Sequence, residues 1–359
     1  YHREYRQLSN WGPYTHFQAS IIYPISSFGR ETAVKQALDN QISIEKLKIR
    51  EIKLAVTLEV KRYYYSYLFA ESVKPALKKV SKILDKAVIR AEELYDSLSG
   101  DISMSELMSL KYSVAEVKRF LLVAEKQKQL SLAALKHSMG VHPSDSLTIK
   151  ERRLPKPKMD KILDLPQLLQ YAAKNRPEWS EIKHGEQAVL KMEEAQALAY
   201  NPTLFLAGNI KYDNAPTRKD SLNPYHYDPY NHVAGGVAVG LNFDFDPKKK
   251  QADDIKVMAG KMRIQALKKL ATTGIPLQVH VAYNEMENYF KQAEVVNKSV
   301  KAANKWMVFA ATAFRSGSGT ARELFDSLKP FVESKYNQYL VWYNFAVKNG
   351  ELDMAIGKL

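Results

Sequence analysis

Between Glu31 and Leu98 the chain carries no strong helix breaker except Pro75. A helical run of roughly 65 residues, at about 1.5 Å per residue, would reach about 100 Å. Helices inside globular domains are far shorter. One of this length is stable only where neighbouring helices cover its apolar seam, as in a coiled coil. Pro75 is expected to kink the run or to mark a joint in it. A second long pattern runs from about Lys249 to Phe314, with a break expected near Gly274-Ile275-Pro276. Within it Phe290, Ala293, Val296, Val300, Ala303, Met307, Ala310 and Phe314 keep steps of three and four and so form a seam. Two such runs restrict the chain to an elongated, helix-dominated architecture.

Each run ends in the same way. The first reads Tyr95-Asp96-Ser97-Leu98-Ser99-Gly100-Asp101-Ile102-Ser103-Met104-Ser105-Glu106-Leu107; the second reads Thr312-Ala313-Phe314-Arg315-Ser316-Gly317-Ser318-Gly319-Thr320-Ala321-Arg322-Glu323-Leu324. Glycine ends a helix because it takes a left-handed backbone at little cost. Ser and Thr then offer caps for the next helix, and a Glu in its first turn suits the helix dipole. Each stretch is therefore the tip of a helical hairpin. The register persists: Gly140 and Gly357 follow at the same spacing, with Leu135 and Leu352 before them. Upstream, Leu58, Val60 and Tyr64 are matched by Leu277, Val279 and Tyr283. Half the chain reads as a duplicate of the other half, the kind of long-period repeat that governs the whole fold.

Taken in order, repeat one occupies 1–140: a strand at 16–26, the long helix at 31–98, the tip at 99–103 and a helix at 104–139. A charged linker with Pro143, Pro155 and Pro157 spans 141–163. Repeat two occupies 164–359: a helix at 164–200 interrupted at Arg176-Pro177-Glu178, strands at 203–212 and 233–246, the long helix at 249–314, the tip at 315–320 and a helix at 321–356. The strands alternate. Phe17, Ala19, Ile21, Tyr23 and Ile25 share one side, with Ile22 an exception on the other. Val233, Val237, Val239, Leu241, Phe243 and Phe245 face one way, and Ala234, Gly236, Ala238, Gly240, Asn242 and Asp244 the other. A membrane β-barrel strand reads like this, and so does a half-buried soluble sheet. The cluster from Tyr63 to Phe69 covers too much of its helix for one seam, so it should pack on more than one neighbour.

The 359 residues suit two ordinary domains or one elongated one. The formal charge of +14 raises the question of an anionic partner. Lys and Arg are interspersed with Glu and Asp, however, with short runs only at Lys248-Lys249-Lys250 and Arg152-Arg153, so solvated helix faces account for most of it. Nucleic-acid binding would need a concentrated basic patch and is not expected. The absence of Cys suits an oxidising envelope compartment. No apolar stretch approaches the ~20 residues of a membrane helix. No signal-peptide pattern stands at residue 1, and Trp11-Gly12-Pro13-Tyr14 is loop-like, as if the chain opened partway through its first repeat. The loop from His226 to His232 has spacing that matches no metal motif of defined geometry. Neither a P-loop nor a nucleophile elbow nor a zincin motif occurs, so no enzyme, cofactor or metal is expected.

In this setting several short stretches gain meaning. Arg176-Pro177-Glu178 follows a short helix. Tyr200-Asn201-Pro202-Thr203-Leu204 enters a strand, Tyr23-Pro24-Ile25-Ser26-Ser27-Phe28-Gly29-Arg30 leaves one, and Leu352-Asp353-Met354-Ala355-Ile356-Gly357 closes the last helix. In order and spacing these stretches resemble the TolC family of outer-membrane efflux proteins over nearly the whole chain. The resemblance implies a mostly α fold with membrane β. Antiparallel helical hairpins would build a periplasmic α-barrel, and three protomers, four strands from each, a twelve-stranded outer-membrane β-barrel. Repeat one then lacks its first helix and strand, which are expected ahead of residue 1.

The resemblance also implies sites and partners. Glu323 and Asp326 match the acidic residues that line the family's narrowest point. Three-fold symmetry would make them two carboxylate rings that attract cations and raise one another's pKa. Glu323 also fits the simpler role of favouring a helix N-terminus. Glu106 and Ser105 match first-tip residues of the closed-state network. Phe314 and Gly319 stand where a Tyr and an Arg are expected, and neither can make their bonds; Arg315 or Arg322 is left to pair with Glu106. Gly100, Ile102, Leu107, Gly317, Gly319 and Leu324 match tips that dock a periplasmic adaptor, which would connect to an inner-membrane pump of RND, ABC or MFS type. The expectation is a passive homotrimeric outer-membrane duct for efflux or type I secretion, with a long periplasmic portion. The alternative is a soluble or peripheral coiled-coil scaffold whose strands form a small sheet.

Overall fold

The computed structural model describes residues 12–97, 102–159, 163–218, 225 and 228–358. The elements are β1 (Thr15–Ser26), α1 (Arg30–Asp96), α2 (Met104–Ser138), α3 (Leu165–Asn175), α4 (Pro177–Ala197), β2 (Thr203–Asn214), β3 (His232–Asn242), α5 (Pro247–Ser316) and α6 (Ala321–Ala355). The chain is mostly helical with one small sheet. Two compact units share it: residues 1–45 with 181–267, and residues 46–180 with 268–359.

The first unit holds an antiparallel sheet in the order β1-β2-β3. Its strands pair along their length, from Thr15 opposite Asn214 and from Asp213 opposite His232. β1 turns into α1 through Phe28 and Gly29, both at positive φ, while Ser27 Oγ accepts the Glu31 N–H at 2.9 Å. β3 was expected to run to residue 246 but stops at Asn242. There it faces Thr203, the first residue of β2, so Phe243 and Phe245 have no strand to pair with. Gly185 and Gly260 let α4 lie close to α5: a Cβ on Gly185 would stand 2.7 Å from Ile264 Cδ1. His184 Nδ1 meets Asn40 Oδ1 of α1 at 2.9 Å.

The second unit is built on helices. The expected break at Gly274-Ile275-Pro276 is absent: α5 is continuous through Pro276, as α1 is through Pro75. A proline costs its helix a hydrogen bond and a steric push. Burial of Ile275 and Val279 beside Pro276, and of Val73 and Leu77 beside Pro75, offsets that cost locally. One apolar cluster joins all four long helices near the tips, through Leu77, Leu84, Leu110, Met307, Leu324 and Phe331. A second joins Leu168 and Ala172 of α3 to Val279 and Met286 of α5 and Leu352 of α6. The linker lies along α1, where the Leu154 N–H donates to buried Ser72 Oγ at 2.9 Å. The tyrosine-rich stretch is used for packing: Tyr64 stacks edge-on against Tyr65, Ser131 Oγ donates to Ser66 Oγ at 2.8 Å, and Leu68 is buried. Burial, followed by a bond to Glu151, pushes the Tyr64 hydroxyl up to about 12.

The helix over 164–200, expected to be interrupted at Arg176-Pro177-Glu178, is two helices, α3 and α4, divided at Arg176. The residue before a proline is pushed out of the helical region, and Arg176 is extended (φ −66°, ψ 125°). Its guanidinium is spent on tertiary structure. Nε donates to Glu178 Oε2 at 2.9 Å and Nη2 donates to Glu178 Oε1. Nη2 also reaches Gln278 Oε1 at 2.9 Å, and Nη1 reaches the Ala355 and Met354 carbonyls at 3.2 and 3.4 Å. Those carbonyls end α6, where a cation is favoured.

Candidate functional site

The tips of the second unit follow from local chemistry. At the end of α5, Gly317 sits at φ +79°, its N–H donates to the Phe314 carbonyl at 3.2 Å, and the Ser318 N–H donates to the Ala313 carbonyl at 3.0 Å. This is the Schellman closure, which needs a left-handed residue just past the helix. Thr320 then caps α6: its Oγ1 accepts the Glu323 N–H at 3.2 Å, and Glu323 Oε2 accepts the Thr320 N–H at 3.1 Å. The first tip repeats the device. Ser103 Oγ accepts the Glu106 N–H at 3.2 Å, while Glu106 Oε2 accepts from the Ser103 N–H at 2.9 Å and hydroxyl at 2.8 Å. These are reciprocal capping boxes. Gly100 lies outside the described residues.

Both acidic positions of the second tip are exposed. Glu323 engages one carboxylate oxygen in its cap. Asp326 lies one turn further along α6, on the same face. Glu106 is half-buried, and its carboxyl is held below the usual range by the Ser103 N–H, then by the Ser103 hydroxyl, with the charge of Arg322 helping. Of the two arginines considered as its partner, Arg322 therefore acts on it electrostatically, across from α6 to α2. Arg315 is exposed and makes no ion pair among the described residues. Ser105 is exposed at the start of α2.

Phe314 is buried in the tip cluster with Ile102, Leu107, Ala321 and Leu324. Gly319 is pressed against α5: a Cβ there would stand 2.8 Å from Ala313 Cβ and 3.2 Å from the Phe314 nitrogen. This tip has no room for an Arg at that position without a shift. Of the expected docking set, Ile102, Leu107 and Leu324 are buried inside the tip. Exposed apolar side chains beside it include Met104, Met108 and Tyr112, spaced four apart along α2. Their four-residue spacing was in the sequence, but nothing there distinguished an exposed stripe from a buried one.

The sheet of the first unit is two-faced. Register places Phe17, Tyr212 and Val233 in one row, and the rows behind it on the same side are Ile21-Gly208-Val237 and Tyr23-Leu206-Val239. The large members of these rows are exposed, Val237 by 79 %. The opposite face carries Gln18-Lys211-Ala234 and Ser20-Asn209-Gly236, with Ile22 and Phe205 apolar exceptions. β1 and β3 each leave an edge unpaired among the described strands. No described helix is long and apolar enough to cross a membrane. No group of three His, Cys, Asp or Glu among the described residues could hold a metal ion.

No protein-family model matches the chain, and no curated protein matches it by sequence. Solved structures do match. The outer-membrane protein VceC of Vibrio cholerae superposes with a TM-score of 0.75 at 14 % identity, over 97 % of this chain and 80 % of that one. A membrane protein of Pseudomonas aeruginosa gives 0.72 at 13 % identity, over 97 % and 85 %. The MtrE outer-membrane channel of Neisseria gonorrhoeae, in its open state, gives 0.70 at 14 % identity, over 98 % and 81 %. The chain has the TolC-like fold of these outer-membrane channel proteins.

Proposed function

We propose that the chain is one subunit of a passive exit duct in an outer membrane. Three copies close their free strand edges on one another into a twelve-stranded barrel, four strands per copy, of which the described residues supply three. The helices, duplicated within the chain, extend the duct as a periplasmic tunnel of hairpins. The observation that carries this is the sheet: among the described residues it has one uncovered apolar face, one mostly small and polar face, and two free edges. An exposed apolar surface of this kind requires a partner, and lipid satisfies the apolar face while barrel closure satisfies the edges.

At the tips, three-fold symmetry turns Glu323 and Asp326 into two rings of carboxylates at the tunnel end. Such rings attract cations and set which solutes approach. Glu106 with Arg322, and Ser105 beside them, form the first-tip side of the closed state; Phe314 and Gly319 contribute packing to it. A periplasmic adaptor docks on the tips, where Met104, Met108 and Tyr112 give it apolar contact. An inner-membrane pump reached through that adaptor supplies the energy, and the duct does no chemistry.

The chain contains no cysteine, so an introduced one is unique. In liposomes, a membrane-impermeant maleimide is expected to label Ala238→Cys on the polar face and to spare Val237→Cys on the apolar face. Equal labelling of both would mean that neither face meets lipid, as in a soluble coiled-coil scaffold.

A further inference from the structure

Two lysines of the second unit share a corner of the helical packing without a carboxylate. Lys79 of α1 donates to Asn304 Oδ1 of α5 at 3.1 Å and lies 5.2 Å from the centre of the Phe331 ring of α6. Lys335 follows Phe331 by one turn of α6. It is half-buried, donates to Gln338 Oε1 at 3.0 Å, and lies 5.6 Å from the centre of the Tyr339 ring. Gln338 is committed as well, its Nε2 donating to Asn297 Oδ1 of α5 at 2.5 Å. Burial, then the charge of Lys79, holds the Lys335 ammonium below the usual lysine range. Arg153 of the linker is close enough for its charge to oppose the upward push that burial gives the Tyr339 hydroxyl. None of Lys79, Lys335 and Arg153 forms an ion pair among the described residues. The carboxylates nearest to them in the chain are turned elsewhere. Glu333 stands two residues from Lys335, on the other side of α6. Glu151 bonds the Tyr64 hydroxyl. A further donor stands on the Lys335 face of α6. Trp342 is 8 % exposed, its indole N–H has no acceptor among the described residues, and its ring meets Tyr339 edge-on at 5.6 Å.

We propose that this corner binds a tetrahedral oxyanion, a phosphate or sulfate group, held by Lys79 and Lys335 with Arg153 at its edge. An ammonium group carries three N–H donors and accepts nothing, and a guanidinium is likewise all donor. Each lysine spends a donor on a neutral amide oxygen and has the others left. A half-buried cation without a counter-charge is costly, and an amide oxygen or a ring face offsets that cost only in part. The indole N–H of Trp342 adds another donor to this side of α6 and no acceptor. The corner is therefore rich in donors and positive charge and poor in acceptors. A group that carries more than one negative charge and several oxygens answers both, through charge-assisted bonds. A single carboxylate would leave most of the positive charge unbalanced. The site stands on the packing of α1, α5, α6 and the linker and does not depend on the duct.

The test is amine labelling of the detergent-solubilised chain with limiting reagent, read at each lysine by mass spectrometry. Inorganic phosphate is compared with chloride at equal ionic strength, so that screening is matched. At about ten times its dissociation constant phosphate leaves roughly one site in ten empty, and labelling of Lys79 and Lys335 is expected to fall about tenfold. Lys126, exposed on α2, which gives no group to the corner, is expected to label alike in both salts. Lys335→Met is expected to abolish the protection of Lys79, and Arg153→Gln, a change of an exposed linker residue, to weaken it. Glycerol phosphate separates two sources of the group. Equal protection assigns the site to a phosphate carried on a larger molecule, and none assigns it to the free ion. Protection by phosphate no greater than by chloride, or protection of Lys79 that survives in Lys335→Met, would overturn the site. Channel activity plays no part in this readout, so its outcome is separable from that of the duct.

Discussion

Three glycines end helices in the same way and yet differ in what a methyl group would meet. Gly140, Gly317 and Gly357 lie at φ +69°, +79° and +76°. Each closes its helix with the same pair of backbone bonds, at Gly357 from its own N–H to the Met354 carbonyl at 3.0 Å and from the Lys358 N–H to the Asp353 carbonyl at 2.8 Å. Alanine at such a φ costs about 1–2 kcal/mol in the folded state. About 0.4–1 kcal/mol of that is offset because alanine restricts the unfolded chain. At Gly140 and Gly317 nothing lies within 4 Å of the added Cβ, so the net loss is about 1 kcal/mol or less. At Gly357 the Cβ would stand 2.8 Å from the Asn175 carbonyl oxygen and 3.1 Å from the Arg176 nitrogen. These are backbone atoms that cannot rotate away, and overpacking adds about 1–3 kcal/mol. Gly357→Ala is therefore expected to lose about 1–4 kcal/mol in all. Urea unfolding of the detergent-solubilised chain, followed by circular dichroism, reads the three midpoints. Equal shifts for Gly357→Ala and Gly317→Ala would refute the close docking of α6 against the α3–α4 junction.

Other substitutions probe the same framework. Arg176→Met strands Glu178 and removes the donor to the Ala355 carbonyl and is expected to cost about 3–5 kcal/mol in the same urea assay, whereas Arg176→Lys, keeping the charge but not the fork, should retain part of it. The Glu106 carboxyl is held below its ordinary value, so its contribution to the α2 cap is complete above the ordinary glutamate range, about pH 4.3, and is lost as pH falls through the lower folded value. Amide exchange at the start of α2 should rise in that acid window in the native chain, and Glu106→Gln should remove the dependence. Arg322→Ala should move the Glu106 titration upward, measured by carboxyl NMR, and Arg315→Ala should leave it in place.

Much of this was legible because local chemistry decided it. Gly317 and Gly357 could be read as helix ends, since only a left-handed residue closes a helix so tightly, and Ser103 and Thr320 as caps, since each has a Glu three residues on. The apolar alternation of β3 was legible for the same local reason. Its end was not, because Asn242 is the last residue with a partner on β2, and a partner lies outside a strand's own pattern. Pro276 misled for a related reason: its cost is local, while the packing that offsets it comes from other helices. Among site residues, the tip carboxylates were visible as helix starts. The partners of Arg176 on α6 and the corner shared by Lys79 and Lys335 were hidden by sequence distance and appear only once packing is set.

The duct itself is tested most directly by single-channel conductance in planar bilayers, comparing the native chain with Glu323→Gln/Asp326→Asn. Gln keeps an oxygen for the Thr320 N–H, so the cap survives while the charge is removed. A subunit of an outer-membrane duct inserts and gives a cation-selective conductance, and the variant inserts equally but loses selectivity. Insertion with unchanged selectivity would move the constriction away from these residues. A trimer that stays soluble without detergent and never inserts would contradict the duct.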